Sequence, residues 1–338
     1  MKILMIGPSN NSKGGMASVI KLFQESSFQI TYLESWHEKG WVICFITLFF
    51  KLRKLIKKHE IEIVHFHVAQ NGSFFRKSLL LFLVPKNIPA IFHMHASNFT
   101  SFYDNAGCIK KYWIKKTFQK VDLIVAVSRQ WKEYYETITE TRVQFVNNSV
   151  IVSKDDYFSF RSKRVITLGR IGNRKGSYDI LEAASKIYKI DPAIKFELYG
   201  DGEVLKFQEL SEKIPNVSIN NWISHKNFKE TLMNSSLHLL PSYNEGLPMS
   251  VLETMGMGIP NIASDVGGIP TVINSEENGW LIKAGEVDEI VSVILKILTF
   301  GEQLAIEKVA SNAKETIKNE FGIHRYFEIW LQIYLSVK

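Results

Sequence analysis

Residues 241–268 read PSYNEGLPMSVLETMGMGIPNIASDVGG. An apolar run from Leu237 to Pro241 ends in a polar loop that carries Glu245; Pro248 stands where a helix can start, and Gly256 or Gly258 where it can stop. A second apolar run, Asn261 to Ser264, follows. Neither run alternates apolar with polar residues, the pattern of a parallel strand covered on both faces. Seven residues separate Glu245 from Glu253, which puts one carboxylate on the loop and the other about a turn and a half into the helix. The helix starts at Pro248, and the peptide N–H groups around it, those of Gly246, Leu247 and Met249, are helix-start donors that suit a diphosphate or a sugar. A carboxylate is in turn a natural acceptor for the vicinal hydroxyls of a ribose.

Outward from this stretch the same scheme repeats. Towards the N-terminus, strands are predicted at Lys2 to Gly7, Gln29 to Glu34, Ile63 to His67, Ala90 to His95, Leu123 to Ser128 and Gln144 to Val146. Around the quoted segment they recur at Val165 to Gly169, Lys195 to Gly200, Val217 to Asn220 and Trp280 to Ile282. Helical segments such as Tyr178 to Tyr188 and Glu286 to Leu298 lie between them. Strands alternating with helices imply right-handed crossovers and doubly wound α/β sheets. The 338 residues, 46% of them apolar, are enough for two such domains, each with its own core. The polar stretch Asn148 to Lys163 marks the junction, giving domains 1–155 and 156–320. The tail 321–338 reads as an aromatic amphipathic helix that returns to the first domain.

Ligands of open α/β sheets bind beyond the carboxyl ends of the strands, so residues just after strands carry the chemistry. Behind the first strand stand Gly14 and Gly15 at a helix start, a geometry that lets a phosphate or sugar approach the backbone. Their spacing is neither a dinucleotide fingerprint nor a P-loop, which argues against a nicotinamide oxidoreductase. Behind Val165 to Gly169 come Arg170 and Lys175, two cations that can meet one anion, the first as a bidentate fork and the second as a point charge. Arg174 reads as a solvated loop residue.

With the segment EGLPMSVLE, followed by Gly258-Ile259-Pro260 and Asp265-Val266-Gly267-Gly268, the chain resembles the family-4 retaining glycosyltransferases of GT-B fold. The resemblance extends to Gly169-Arg170 with Lys175-Gly176, to Leu198-Tyr199-Gly200-Asp201-Gly202, to Asn278-Gly279 and to Gly14-Gly15-Met16. It implies two Rossmann-like domains facing a cleft, the first binding the acceptor and the second the nucleotide-sugar. Carried over residue by residue, it implies that Arg170 and Lys175 hold the donor diphosphate, Glu245 the hydroxyls of the transferred sugar, Glu253 the ribose, and Gly14 and Gly15 the phosphate and sugar. His95 would lie beside the sugar, and Trp222 with Ile223 would frame the nucleobase. The segment His95-Ala96-Ser97-Asn98 departs from the family's H-G-x-D form at Ala96 and Asn98, which weakens any role for residue 98 as a base or acceptor contact. The implied reaction moves a hexose-type sugar from a UDP-sugar, favoured over a GDP-sugar, to an acceptor hydroxyl in cell-surface polysaccharide or glycolipid synthesis. A nucleotide-sugar epimerase or hydrolase, or a non-catalytic nucleotide-sugar-binding subunit, is the alternative.

No metal or other cofactor is expected: the pair His93 and His95 lacks further ligands at suitable spacing, and no D-x-D motif is present. His65 and His67 lie on alternate residues of one strand, one of them expected in the core. The formal charge of +7 is uneven, with 21 Lys and Arg against 12 Asp and Glu in residues 1–160. The basic clusters are Lys51 to Lys58, Arg76 with Lys77, and Lys110 to Lys120, the last interleaved with Tyr112, Trp113 and Phe118. No nucleic-acid module accompanies them, so an anionic membrane and a glycan or polyprenyl-linked acceptor are the expected partners. The location expected is the cytoplasm, at the inner face of the membrane.

Overall fold

The computed structural model describes residues 1–9, 15–35, 41–96 and 98–338. In chain order the elements are β1 (Lys2–Gly7), α1 (Gly15–Gln24), β2 (Gln29–Glu34), α2 (Trp41–Lys58), β3 (Ile63–Val68), α3 (Gly72–Leu81), β4 (Ala90–Met94), α4 (Phe99–Asp104), α5 (Cys108–Lys120), β5 (Leu123–Ala126), α6 (Arg129–Ile138) and β6 (Val143–Phe145). They continue with β7 (Arg164–Leu168), α7 (Ser177–Tyr188), β8 (Lys195–Gly200), α8 (Val204–Ser211), β9 (Val217–Asn221), α9 (His225–Leu232), β10 (Leu237–Leu240), α10 (Met249–Gly256), β11 (Asn261–Ser264), β12 (Gly279–Ile282), α11 (Val287–Leu298), α12 (Gln303–Glu320) and α13 (Ile323–Val337). Two compact units result: Met1–Ser149 with Ile323–Lys338, and Val150–Gly322.

In the first unit six parallel strands lie in the order β2-β1-β3-β4-β5-β6. All six residues of β3 and all five of β4 are buried, the consequence of helices on both faces. On α2 the buried Leu48, Leu52 and Ile56 recur every four residues, while Lys51, Arg53, Lys54 and Lys57 are exposed, so this helix is amphipathic and rests on the core. The last helix, α13, closes the opposite face with a seam of aromatic rings. The Trp330 ring stacks on His65 at 4.6 Å between centroids and meets Phe23 edge-on at 5.4 Å. Tyr334 hydrogen-bonds His65 Nδ1 at 2.7 Å and meets Phe28 edge-on at 5.3 Å.

The second unit also holds six parallel strands, in the order β12-β11-β10-β7-β8-β9. The chain runs outward from β7 through β8 to β9, then returns to place β10 on the other side of β7. The crevice of a doubly wound sheet opens at this reversal, between the loops that follow β7 and β10. A buried polar network fixes α10 over the reversal. His238 Nδ1 on β10 lies 2.5 Å from Asn261 Oδ1 on β11, and Asn261 Nδ2 donates to Thr254 Oγ1 on α10 at 3.0 Å. Asn278 of the Asn278-Gly279 pair donates to Val272 O and Thr316 Oγ1, each at 3.0 Å, and so joins the turn before β12 to α12. Among the described residues, no helix is long and apolar enough to cross a membrane.

Trp330 is fully buried, so truncating it opens a large cavity under α13. Trp330→Ala should destabilise the first unit by about 3–5 kcal/mol in urea unfolding, with Trp330→Phe costing less. A loss below about 1 kcal/mol would mean that the aromatic seam does not hold this helix.

Candidate active site

Three segments of the second unit converge at the reversal. The chain leaves β7 through Gly169 and Arg170, forms one tight helical turn over Asn173–Lys175, and passes through Gly176 into α7. Gly176 has φ +67°, and a Cβ there would fall 2.1 Å from the carbonyl oxygen of Pro241 at the end of β10. This close approach brings Lys175 against the loop that follows β10. Its Nζ lies 2.6 Å from Glu245 Oε1, with only 12% and 7% of the two side chains exposed. Arg174 approaches the same oxygen from outside, with Nη1 at 3.2 Å, and donates to the carbonyl of Asn244 at 2.8 Å. Arg174 is exposed, as its reading as a solvated loop residue has it, and it also anchors the Glu245 loop.

The turn Asp265-Val266-Gly267-Gly268 supports the loop from below. Gly267 has φ +60°, and a Cβ there would sit 2.0 Å from the Glu245 carbonyl oxygen; the N–H of Gly268 donates to the Gly246 carbonyl at 2.6 Å. Only two glycines let the backbones pass so closely. Pro248 then caps α10, with Gly246, Leu247, Pro248 and Met249 all buried, and Glu253 lies half-buried midway along the helix.

Burial pulls the Lys175 ammonium below the ordinary lysine value, and the adjacent Glu245 carboxylate pulls it back up. The pair thus holds a cation in a largely dry site, with donors in excess of the one that Glu245 uses. Arg170 is exposed, lies against Gly202, and has no ion pair among the described residues. Trp222 and Ile223 follow β9 at the far edge of the sheet. Ile223 packs against the cluster of Tyr157, Ile166 and Leu232, and neither residue has a hydrogen bond or ion pair to Lys175 or Glu245 among the described residues.

In the first unit Gly14 lies outside the described residues, and Gly15 opens α1 with an exposed backbone. His95 is half-buried just past β4 and belongs to a stack of four imidazoles. His67 Nδ1 contacts His95 Nε2 at 2.9 Å, His65 Nε2 contacts His93 Nδ1 at 3.3 Å, and His65 stacks on His67 at 4.5 Å. His65 and His67 are both fully buried, which corrects the expectation of one core histidine: residues two apart on a strand share a face. Beneath them lies Lys77, 2% exposed, donating to Ser73 Oγ at 2.8 Å. Grouping it with Arg76 as surface charge was wrong, because the i, i+3, i+4, i+7 spacing of Phe74, Lys77, Ser78 and Leu81 puts it on the buried face of α3. That spacing is the signal in the sequence that would have found it.

Burial brings Lys77 down to about 7 and His95 to about 3, and also pushes His65, His67 and His93 well below the ordinary imidazole value. Ring nitrogens of His65, His67 and His93 lie within 4.8 Å of one another, the one group with possible metal-ligand geometry among the described residues. The fit is poor. The Lys77 cation acts on these rings and would repel a buried dication, and among the described residues no carboxylate is recorded as acting on them.

The profile of the family described as Glycosyl transferases group 1 matches residues 162–299, and that of Glycosyltransferase Family 4 matches residues 34–154. Among curated proteins, the chain is 23% identical to the UDP-Gal:alpha-D-GlcNAc-diphosphoundecaprenol alpha-1,3-galactosyltransferase of Escherichia coli, over 85% of this chain and 78% of the relative. It is also 23% identical to the N-acetyl-alpha-D-glucosaminyl L-malate synthase of Bacillus anthracis, over the same shares. Among solved structures, the sucrose-phosphate synthase of Thermosynechococcus elongatus superposes with a TM-score of 0.81 at 15% identity, covering 99% of this chain and 98% of that one. Anabaena Alr3699/HepE in complex with UDP-glucose gives 0.75 at 15% identity, covering 99% and 100%. TarM gives 0.71 at 21% identity, covering 86% of this chain, which spans 58% of TarM.

The histidine stack makes the first unit acid-labile. Its four folded-state pKa values lie below the ordinary 6.5, so its stabilising contribution is present above that pH and is lost as pH falls below it. Each neutral imidazole then costs about 1.4 kcal/mol per pH unit below 6.5. Urea midpoints should fall between pH 6.5 and 5.5, and a variant carrying His67→Gln and His93→Gln should show a shallower slope. Midpoints independent of pH would contradict the neutral stack.

Proposed function

The chain belongs to the family-4, group 1 glycosyltransferases of GT-B fold, and on that premise we propose that it moves a hexose-type sugar from a UDP-sugar, in preference to a GDP-sugar, to a hydroxyl of a glycan or polyprenyl-linked acceptor, with retention at the anomeric carbon, in the synthesis of cell-surface polysaccharide or glycolipid. The observation that carries the reading is the buried Lys175–Glu245 pair at the sheet reversal, with Arg170 on the same loop as Lys175. The similar proteins support the substrate classes: UDP-Gal and a diphosphoundecaprenol for the E. coli enzyme, UDP-glucose for the Anabaena structure.

As the bond between anomeric carbon and diphosphate breaks, negative charge collects on the departing phosphate. Lys175 and Arg170 meet that charge, together with peptide donors at the start of α10, and so supply what a divalent metal supplies elsewhere. The reaction is accordingly metal-independent. The acceptor hydroxyl attacks from the face that the diphosphate leaves, and a phosphate oxygen takes its proton, so no protein base is needed. Glu245 accepts hydrogen bonds from hydroxyls of the transferred sugar. Its negative charge is already stabilised by Lys175 and Arg174, which blunts it as a nucleophile and suits it to positioning. Glu253 binds the ribose, Trp222 with Ile223 the base, and His95, held neutral, donates to or accepts from the sugar without carrying charge.

Lys175→Gln keeps a donor for Glu245 while deleting the charge. Turnover with the preferred donor should fall by about 10²–10³-fold in protein that is still folded, far more than the lowered melting point caused by leaving Glu245 without its buried counter-charge can account for; wild-type transfer would remove the leaving-group role. UDP should raise the melting point more than GDP or ADP, and Glu253→Ala should weaken UDP binding by about tenfold or more. Equal stabilisation by all three nucleotides would refute the donor preference. Labelled donor converted only to free sugar in the presence of acceptor would make the protein a hydrolase.

A further inference from the structure

One surface of the first unit takes no part in the chemistry described above. Helix α5 carries Lys110, Lys111, Lys115, Lys116 and Lys120 and no acidic residue. Its inward side is Ile114, Thr117 and Phe118, which leaves Ile109 88% and Tyr112 63% exposed on the outward side. Leu79 on α3 and Phe82 just beyond it are exposed alongside. Between α3 and α5 runs an open groove of about 730 Å³, lined by Phe75, Leu79, Ile109, the Lys110 stem and Trp113. Trp113 Nε1 donates to Ser78 Oγ at 2.8 Å, so the groove has a fixed floor.

The lysines are arranged around this apolar ridge. Lys110 Nζ lies 5.1 Å from the Phe102 ring centre, Lys116 5.6 Å from Tyr112, and Lys120 5.8 Å from Phe82. An apolar surface left open to water marks an interaction site, and its surroundings say what it meets. A protruding isoleucine and a tyrosine beside a hydrocarbon-lined groove suit lipid chains, and a fringe of five cations free of carboxylates on the same helix suits phosphodiester headgroups. A nucleic acid would use the lysines but leave Ile109 and the groove in water.

We propose that the α3–α5 face of the first unit docks on an anionic phospholipid surface, with Ile109 and Tyr112 entering the acyl boundary, a lipid chain seated in the groove and the α5 lysines against the phosphates. The contact is independent of the donor and acceptor chemistry, and it holds the chain where a lipid-linked substrate would lie.

The test is co-sedimentation of the full chain with phosphatidylcholine vesicles, with and without phosphatidylglycerol, at low and high salt, a readout that needs no activity. Binding should require phosphatidylglycerol and weaken in high salt. Ile109→Ser should weaken it by about tenfold. A variant with Lys115→Gln and Lys116→Gln should weaken it by roughly ten- to thirtyfold and flatten its salt dependence. All three positions are exposed, so the variants should keep the wild-type melting point. Equal binding by wild type and Ile109→Ser would overturn the proposal, as would binding to pure phosphatidylcholine at the same strength. Dimerisation without lipid that Ile109→Ser abolishes, with no vesicle binding, would overturn it in favour of contact between copies of the chain.

Discussion

A lysine ammonium with little access to water keeps its charge only if a carboxylate faces it, and that carboxylate tolerates burial only if the lysine stays. Lys175 and Glu245 stand in this mutual dependence, 2.6 Å apart. The two side chains come from loops on either side of the point where the sheet reverses, so the pair exists only when β7 and β10 are neighbours. Arg174, on the turn with Lys175, adds a second cation from the solvent side. The result is an oriented carboxylate with a cation beside it, prepared before any substrate arrives. Such preorganisation is what electrostatic catalysis requires, because no reorganisation is left to be done as charge develops.

The geometry of the pair rests on backbone contacts that exclude side chains. Gly176 passes the carbonyl of Pro241, and Gly267 passes the carbonyl of Glu245, each with no room for a Cβ. One contact fixes the lysine turn to the end of β10, and the other fixes the Glu245 loop from beneath. The network of His238, Asn261 and Thr254 sets the helix that follows. Each loop of the site is thus tied to a strand end, which makes it rigid though it is not regular structure.

The first unit solves a different problem. Its strands β3 and β4, with the residue just past β4, carry four histidines and its α3 a lysine into a region where no carboxylate among the described residues is recorded as acting on them, so burial favours the neutral forms. Neutral imidazoles can stack and hydrogen-bond with one another and with Tyr334, and Trp330 covers them. Part of this polarity remains unmatched, since His67 Nε2 and His93 Nε2 have no hydrogen-bond partner among the described residues. The same unit keeps its ionised lysines on α5, outside, where water solvates them.

The sequence by itself determined the two parallel α/β sheets, because non-alternating apolar strands followed by helices can be buried in few other ways. It also picked out the loops proposed to carry chemistry, since glycine, proline and paired Glu residues such as Glu245 and Glu253 are legible at strand ends. It was silent on how side chains from distant loops meet. The hold of Arg174 on the Glu245 loop and the bond of His65 to Tyr334 went unread, because the partners stand 70 and 269 positions away. Local pattern fixes the secondary structure and its punctuation. Burial and the sign of neighbouring charge are properties of the packed chain, and only the tertiary structure decided which cations are held dry and which face water.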